Sequence, residues 1–230
     1  MPSNTIAQLT LGLSLNDDAK FENFIDVGTN AEVINELQGS TSQIFLWGAL
    51  GSGRTHLLQA VCHDASMRSE SSVYIPLSNV GSLSPEILEG LEAVDIICLD
   101  DFQAIQKKLA WEQSLFKLYN RVRESGSRII ISANRSPSNL ELMLADLQSR
   151  LCGLPVFKLS NLDDLNQMEI LRFRAMQRGI EFSASVAEYI LARAHRNMHD
   201  LIRVLDAVDE ISLAEKRRVT IPLIKKVMKW

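Results

Sequence analysis

The octapeptide Gly48-Ala49-Leu50-Gly51-Ser52-Gly53-Arg54-Thr55 constrains this chain more than any other feature. An apolar run at residues 43–47 leads into it, and a helix-compatible stretch from His56 to about residue 66 leads out of it. Strand, glycine-rich turn and helix, in that order, form the setting of a phosphate-binding loop. Gly51 and Gly53 let the backbone wrap around an anion, while bare N–H groups and the positive end of the helix supply the field that holds it. The pattern is G-x-x-x-x-G-K-[ST] with one departure, Arg54 in the lysine position. Thr55 then offers a hydroxyl to Mg²⁺. Read alone, the loop leaves open a glycine turn that arose by chance.

A second element narrows the choice. Ile96-Ile97-Cys98-Leu99 is an apolar run that ends in Asp100-Asp101. Carboxylates at the end of a buried strand need a cation or several donors to offset their desolvation. Asp100 is placed to hold the water shell of Mg²⁺, and Asp101 to polarise an attacking water. Loop and acidic strand end together predict a nucleotide site built from Gly48, Leu50, Gly51, Ser52, Gly53, Arg54, Thr55 and His56, with Thr55 and Asp100 as the metal-holding pair. Asn134 follows a later apolar run, where its side chain is expected between those carboxylates and the terminal phosphate. An asparagine that caps the turn at Ser136-Pro137 is the alternative. Arg150 ends the helix-like segment Asp146-Leu147-Gln148-Ser149-Arg150, and taken alone reads as a surface arginine at a helix C-terminus.

Five apolar runs, at residues 43–47, 72–77, 95–99, 128–132 and 155–159, alternate with helical segments. Runs so uniformly apolar suit strands buried on both faces, so the expected fold class is α/β with a parallel sheet covered by helices. Trp111, Leu115, Phe116, Leu118, Tyr119 and Val122 recur at helical spacing and predict a helix over 111–124, stopped by Gly126. After Leu159 the strand runs cease. Residues 163–178, 184–196, 197–215 and 221–229 read as helices, with Gly179 closing the first, Ser183 or Ser185 capping the second and Pro222 in the first turn of the last. The expected division is a flexible tail over 1–19, an α/β nucleotide-binding domain over 20–161 and a small helical lid over 162–230.

Charge bears on the partners. The chain has 24 basic and 28 acidic side chains, a net charge of −4, and only short basic runs such as Lys216-Arg217-Arg218. A protein that grips DNA unaided usually shows a basic face, so little or no direct DNA binding is expected. Cys62, Cys98 and Cys152 form no CxxC pair and read as core thiols in a reducing compartment. No stretch approaches the ~20 apolar residues of a membrane span. No basic segment followed by an apolar run opens the chain, so a cytoplasmic location without a membrane partner is expected. His195 and His199 stand four apart, but a glutamate between them and a third ligand are lacking, so no zinc site is expected.

In this order, the loop, the Asp-Asp strand end, the polar residue after a strand, the Ser-Arg-Leu segment and the helical lid resemble the AAA+ ATPases of the bacterial DnaA/Hda family. Five pieces carry the likeness, which spans essentially the whole chain: Gln8-Leu9-Thr10-Leu11-Gly12-Leu13, Phe21-Glu22-Asn23-Phe24-Ile25, Gly53-Arg54-Thr55-His56-Leu57, Leu99-Asp100-Asp101 and Asp146-Leu147-Gln148-Ser149-Arg150-Leu151. The resemblance implies a P-loop NTPase fold with a C-terminal helical lid, and an adenine nucleotide with Mg²⁺ as cofactors. It implies that Phe24 and Ile25 line the base pocket, that Asn134 is the first sensor and that Arg150 is a finger inserted into a neighbouring subunit's site. His199 takes the second-sensor position, where lids of this family usually carry arginine.

Gln8-Leu9-Thr10-Leu11-Gly12-Leu13 resembles the peptides that bind the DNA polymerase sliding clamp (its beta subunit). Gln8 would hydrogen-bond at a pocket rim, and Leu9, Leu11 and Leu13 would supply the apolar side chains. Six such residues taken alone read rather as an ordinary edge strand, and it is their place at the start of a tail ahead of a DnaA-like core that favours the clamp peptide. The initiator's helix-turn-helix domain does not follow the lid in these residues, so the expectation is a DnaA-related regulator rather than the initiator. Sites of this family commonly complete one another across subunits, which adds a homo-oligomer to the expected partners.

The implied function is to bind the clamp and promote hydrolysis of the ATP held by DnaA, with Arg150 acting in trans, thereby preventing over-initiation. Arginine is bulkier and more rigid than lysine. Arg54 is therefore expected to anchor a β-phosphate and crowd the γ position, favouring ADP over ATP and leaving weak intrinsic turnover. Two other classes fit parts of the pattern. One is a nucleoside-kinase-like phosphotransferase, although such enzymes present lid arginines where this lid offers His195 and His199. The other is an ATP-dependent loader acting on single-stranded DNA.

Overall fold

The computed structural model describes residues 15–26, 30–181, 183–194, 198–215 and 219–230, with backbone alone for residues 199 and 212–215. The hexapeptide at 8–13 lies outside the described residues.

Five strands, β1 (Gln43–Trp47), β2 (Ser72–Pro76), β3 (Ile96–Asp100), β4 (Arg128–Ala133) and β5 (Val156–Lys158), form one sheet in the order β2-β3-β4-β1-β5. Every pairing is parallel, with Phe45 opposite both Ile131 and Val156, and Ile131 in turn opposite Leu99. The uniformly apolar runs have the two-sided burial they require. Phe45, Ile97, Leu99, Ile129 and Ile131 join the core beneath α3 (Leu109–Ser125) and α4 (Ala145–Cys152). Their neighbours Ile44, Leu46, Ile96, Cys98 and Ile130 join the core beneath α1 (Ala31–Gln38) and α2 (Arg54–Met67). The period-two alternation of a strand thus feeds two apolar layers at once.

Four helices follow the sheet: α5 (Asp164–Gln177), α6 (Ala184–Arg193), α7 (Met198–Glu215) and α8 (Ile221–Met228). They share a third core around Leu171, Ile190, Leu201, Leu205 and Ile224. Local chemistry marks their ends. Asp163 accepts the Asn166 N–H at 2.8 Å in a capping box, and Pro222 lies in the first turn of α8. Of the two serines considered for α6, Ser183 is the cap, accepting the Val186 N–H. Gly126 ends α3 with φ 79°.

The structure corrects several expectations. α2 begins at Arg54 rather than His56, so Arg54 and Thr55 themselves form its first turn. Cys62 and Cys98 are buried, but Cys152 is exposed. Residues 15–19, expected in the tail, belong to the folded body: Leu15 packs on the α1–α2 core and Ala19 is buried. The Asn16 N–H donates to Gln59 Oε1 at 2.9 Å, and its carbonyl accepts from His63 Nε2 at 2.9 Å. The Asp18 carbonyl accepts from Arg174 Nη1 at 3.0 Å, from a residue 156 positions away. Partners so distant in sequence leave no periodic trace. Among the described residues no helix is long and apolar enough to cross a membrane, and no cluster of three or more His, Cys, Asp or Glu is placed to hold a metal.

Candidate nucleotide site

Because all five strands run in one direction, the turn after β1 and the end of β3 emerge on the same edge of the sheet. That edge is where ligands of open α/β sheets bind. The turn is tightly confined. Gly51 and Gly53 adopt φ 81° and 94°, values that favour glycine. A Cβ on Gly53 would stand 2.6 Å from Phe24 Cε2, and one on Gly51 would stand 2.9 Å from the Met198 N at the start of α7. A Cβ on Gly48 would stand 2.6 Å from Ser52 Oγ. The loop is therefore held between the segment before the sheet and the C-terminal helices. A cleft of about 500 Å³ opens there, lined by the loop, Phe24, Ile25, His56, Tyr74, Arg174 and Ile202.

Asp100 is the electrostatic centre. Its side chain is 1% exposed, and each oxygen accepts two donors. Oδ2 accepts from Thr55 Oγ1 at 2.6 Å and Tyr74 OH at 2.8 Å. Oδ1 accepts from Ser132 Oγ and from the Asp101 N–H at 3.0 Å. Four donors meet the need for compensation that a buried carboxylate creates. Burial, together with the Asp100 carboxylate, pushes the Tyr74 hydroxyl well above the usual tyrosine range, so it remains a donor. Asp101 follows in the left-handed region at φ 55°. Its Oδ1 lies 3.3 Å from Arg54 Nη2 and accepts from Gln103 Nε2 at 2.8 Å.

Two further groups shape the cleft wall. His56 stacks at a tilt against Phe24, with ring centroids 5.6 Å apart, and its Nε2 donates to the Lys20 carbonyl at 2.8 Å. Burial pulls its pKa down to about 4, so the imidazole is neutral at pH 7. Arg174, from α5, is buried and reaches the cleft while bound to Asp18. The C-terminal helices thus present an arginine where the sequence pointed only to His195 and His199.

The structure gathers Phe24, Ile25, Leu50, Gly51, Ser52, Gly53, Arg54, Thr55, His56, Asp100 and Asp101 around this one cleft. It does not bring Asn134 there. That residue is exposed, and its Oδ1 accepts from Arg135 Nε at 3.2 Å. Gln103 spans the gap, accepting the Asn134 N–H at 2.9 Å while donating to Asp101. Gln103 rather than Asn134 thus hydrogen-bonds the Asp101 carboxylate. Arg150 is exposed on the last turn of α4, outside the cleft. His199 lies in the first turn of α7, but its side chain, like the whole of His195, lies outside the described residues. Tyr74, Ser132, Gln103 and Arg174 were missed. Polar Ser132 at the end of an apolar run was the one available signal.

Known proteins match this arrangement. Residues 164–228 match the family described as Hda, lid domain, and residues 82–156 match the bacterial DnaA ATPase domain. Domain III of the replication initiation protein DnaA from Thermotoga maritima is 23% identical with a TM-score of 0.78, over 94% of this chain and 98% of that one. The chain is an AAA+ protein of the Hda/DnaA family. A replication initiator DnaA bound to AMPPCP and single-stranded DNA is also similar to this Hda/DnaA-family protein, at 25% identity and a TM-score of 0.70, over 88% of this chain and 69% of that one. RuvB of Thermotoga maritima, a Holliday junction branch migration motor, shares the fold at 17% identity and a TM-score of 0.65, over 92% of this chain and 71% of that one.

Proposed function

We propose that this family member regulates initiation of chromosome replication by acting on the nucleotide held by DnaA rather than by turning over its own. The observation that carries this reading is Arg150. It stands exposed on the last turn of α4, outside its own cleft, and forms no ion pair among the described residues. A cation so presented suits a second protein's phosphates. Arginine fingers contribute ~10³–10⁵ in rate, equivalent to ~4–7 kcal/mol of barrier. Residues 8–13 would dock on the sliding clamp and raise the local concentration of the finger near DnaA.

The chain's own cleft would hold an adenine nucleotide and Mg²⁺, and its donor set fits both. Ser52 Oγ and Arg54 Nη1 are buried without hydrogen-bond partners among the described residues, as suits a loop that expects phosphate oxygens. Thr55 Oγ1 beside the Asp100 carboxylate provides the hydroxyl and acid that Mg²⁺ takes from such loops, with phosphate and water completing its shell. Phe24 and Ile25 would flank the base. Bound nucleotide would supply order rather than chemistry, joining the loop to the C-terminal helices.

The test is Arg150→Ala. It should retain nucleotide and clamp binding but lose stimulation of ATP hydrolysis by DnaA by at least about a hundredfold, within the range such fingers supply. Removing residues 8–13 should abolish capture on sliding clamp while leaving nucleotide binding intact. Unchanged stimulation by the Arg150 variant excludes the finger. Tight, steeply salt-dependent binding of single-stranded DNA by the wild type would favour a loader instead.

A further inference from the structure

Arg54 is the departure from the loop pattern, and its surroundings explain where its charge goes. The side chain is only 6% exposed. Nη2 lies 3.3 Å from Asp101 Oδ1, while the buried Nη1 has no hydrogen-bond partner among the described residues. A buried guanidinium needs a counter-charge, and Asp101 provides it. Asp101 is in turn fixed in place. Its N–H donates to Asp100 Oδ1 at 3.0 Å and to Ser132 Oγ at 3.3 Å, and Gln103 Nε2 donates to its Oδ1 at 2.8 Å. The second carboxylate of the strand end is therefore engaged by the loop's own cation and an amide.

In loops of this pattern the cation before the Ser/Thr reaches the β- and γ-phosphates. A lysine ammonium is compact and turns freely, whereas a guanidinium is a rigid fork whose two ends are satisfied separately. A phosphate oxygen that takes the unpartnered Nη1 leaves the Nη2–Asp101 pair intact. A third phosphate brings more negative charge to the same fork. It must compete with Asp101 for the guanidinium, and success leaves Asp101 a partly buried carboxylate facing phosphate without its cation. Like charges brought together in that way are disfavoured.

We infer that the Arg54–Asp101 pair makes this cleft discriminate nucleoside diphosphate from triphosphate, with Asp101 serving as counter-ion and selectivity element rather than as activator of water. The inference rests on residues 48–55 being the nucleotide site proposed above. It assigns the selectivity to Asp101 acting through Arg54, not to the bulk of the arginine alone.

The experiment is isothermal titration of the full chain with ADP and with AMPPCP, each with Mg²⁺ and with EDTA, for wild type, Asp101→Asn and Asp101→Gly. Wild type should bind ADP more tightly than AMPPCP. Asp101→Asn keeps the shape but removes the charge, so AMPPCP affinity should rise about tenfold while ADP affinity moves less than about threefold. Asp101→Gly removes the same charge at a position whose left-handed backbone glycine adopts freely, so it should narrow the ratio likewise and carries the comparison should the asparagine variant not fold. Equal shifts for both ligands in the folded variants overturn the inference but leave the nucleotide site standing. Failure of folded wild type to bind either ligand overturns the site itself.

Discussion

Truncating Glu112 should destabilise this protein more than any surface substitution. The side chain is fully buried on the first turn of α3. Oε1 accepts the Lys107 N–H at 3.0 Å, and Oε2 accepts the N–H groups of Met143 and Leu144 at 2.8 Å each. Lys107 is itself in the left-handed region at φ 61°, and Leu144 immediately precedes α4, the helix that carries Arg150. One carboxylate thus fixes the turn after β3 and the entry to α4. Glu112→Ala leaves these backbone donors without an acceptor. At about 1.5–3 kcal/mol for each bond to a charged group the gross loss is about 5–9 kcal/mol. Relief of the carboxylate's own desolvation and entry of water into the space return part of this, so a net loss of about 3–5 kcal/mol is expected. Glu112→Gln keeps one acceptor oxygen and should lose about half as much. Equilibrium urea denaturation followed by circular dichroism reads the effect as a lower midpoint at unchanged slope. A loss below about 1 kcal/mol for the alanine variant, or equal losses for both variants, would refute the reasoning, because stability at this locus would then not come from the accepted N–H groups.

Two further substitutions probe the cleft wall. Burial keeps His56 neutral with a pKa near 4, so an unfolded chain takes up this proton around pH 6.5 while the folded one does so only near 4. Its contribution to stability is complete above that upper value and declines as pH falls toward the lower one. His56→Gln should therefore flatten the fall in melting temperature between pH 7 and 4.5, and parallel curves for variant and wild type would dismiss the assignment. Asp18 joins residues 15–19 to Arg174 and Arg178, and Arg178 also binds Asp206 at 2.6 Å on α7. Burial acts to raise the Asp18 pKa but is outweighed by the Arg178 hydrogen bond and the charges of Arg174 and Arg178, which hold it below the usual aspartate range. Because the Asp18 side chain is 43% exposed and solvent screens the pair, Asp18→Asn should cost only about 0.5–1 kcal/mol at pH 7. That deficit should shrink on acidification below the ordinary carboxylate range, and amide exchange at residues 15–19 should accelerate. An unchanged exchange rate would show that the clasp does not hold this segment.

Two layers of information meet in this chain. The α/β alternation, the loop, the acidic strand end and the helical C-terminal region were legible because each is a local pattern. Apolar runs report strands buried on both faces, as at Ile96–Asp100, and glycines at 51 and 53 report a turn that needs positive φ. Caps such as Asp163 with Asn166 and the stop at Gly126 are likewise written within a few residues. These features depend on neighbours in the chain, so the amino-acid order suffices to specify them.

Long-range packing settled the rest. The strand order put β4 between β3 and β1, which brings Ser132 onto Asp100 and Thr55 within 2.6 Å of the same carboxylate. Past the left-handed turn at Asp101, Gln103 donates to the Asp101 carboxylate and accepts the Asn134 N–H. Residues 15–19 looked like loose tail because their partners, Gln59, His63, Arg174 and Arg178, lie 43 to 160 positions away. A hydrogen bond or ion pair between segments so distant has no periodicity to betray it, since its geometry exists only once the sheet and the C-terminal helices have closed on the loop. The amino-acid order therefore determined where the glycine turn of residues 48–55 and the acidic strand end lie, while the folded chain decided which side chains answer one another across that cleft.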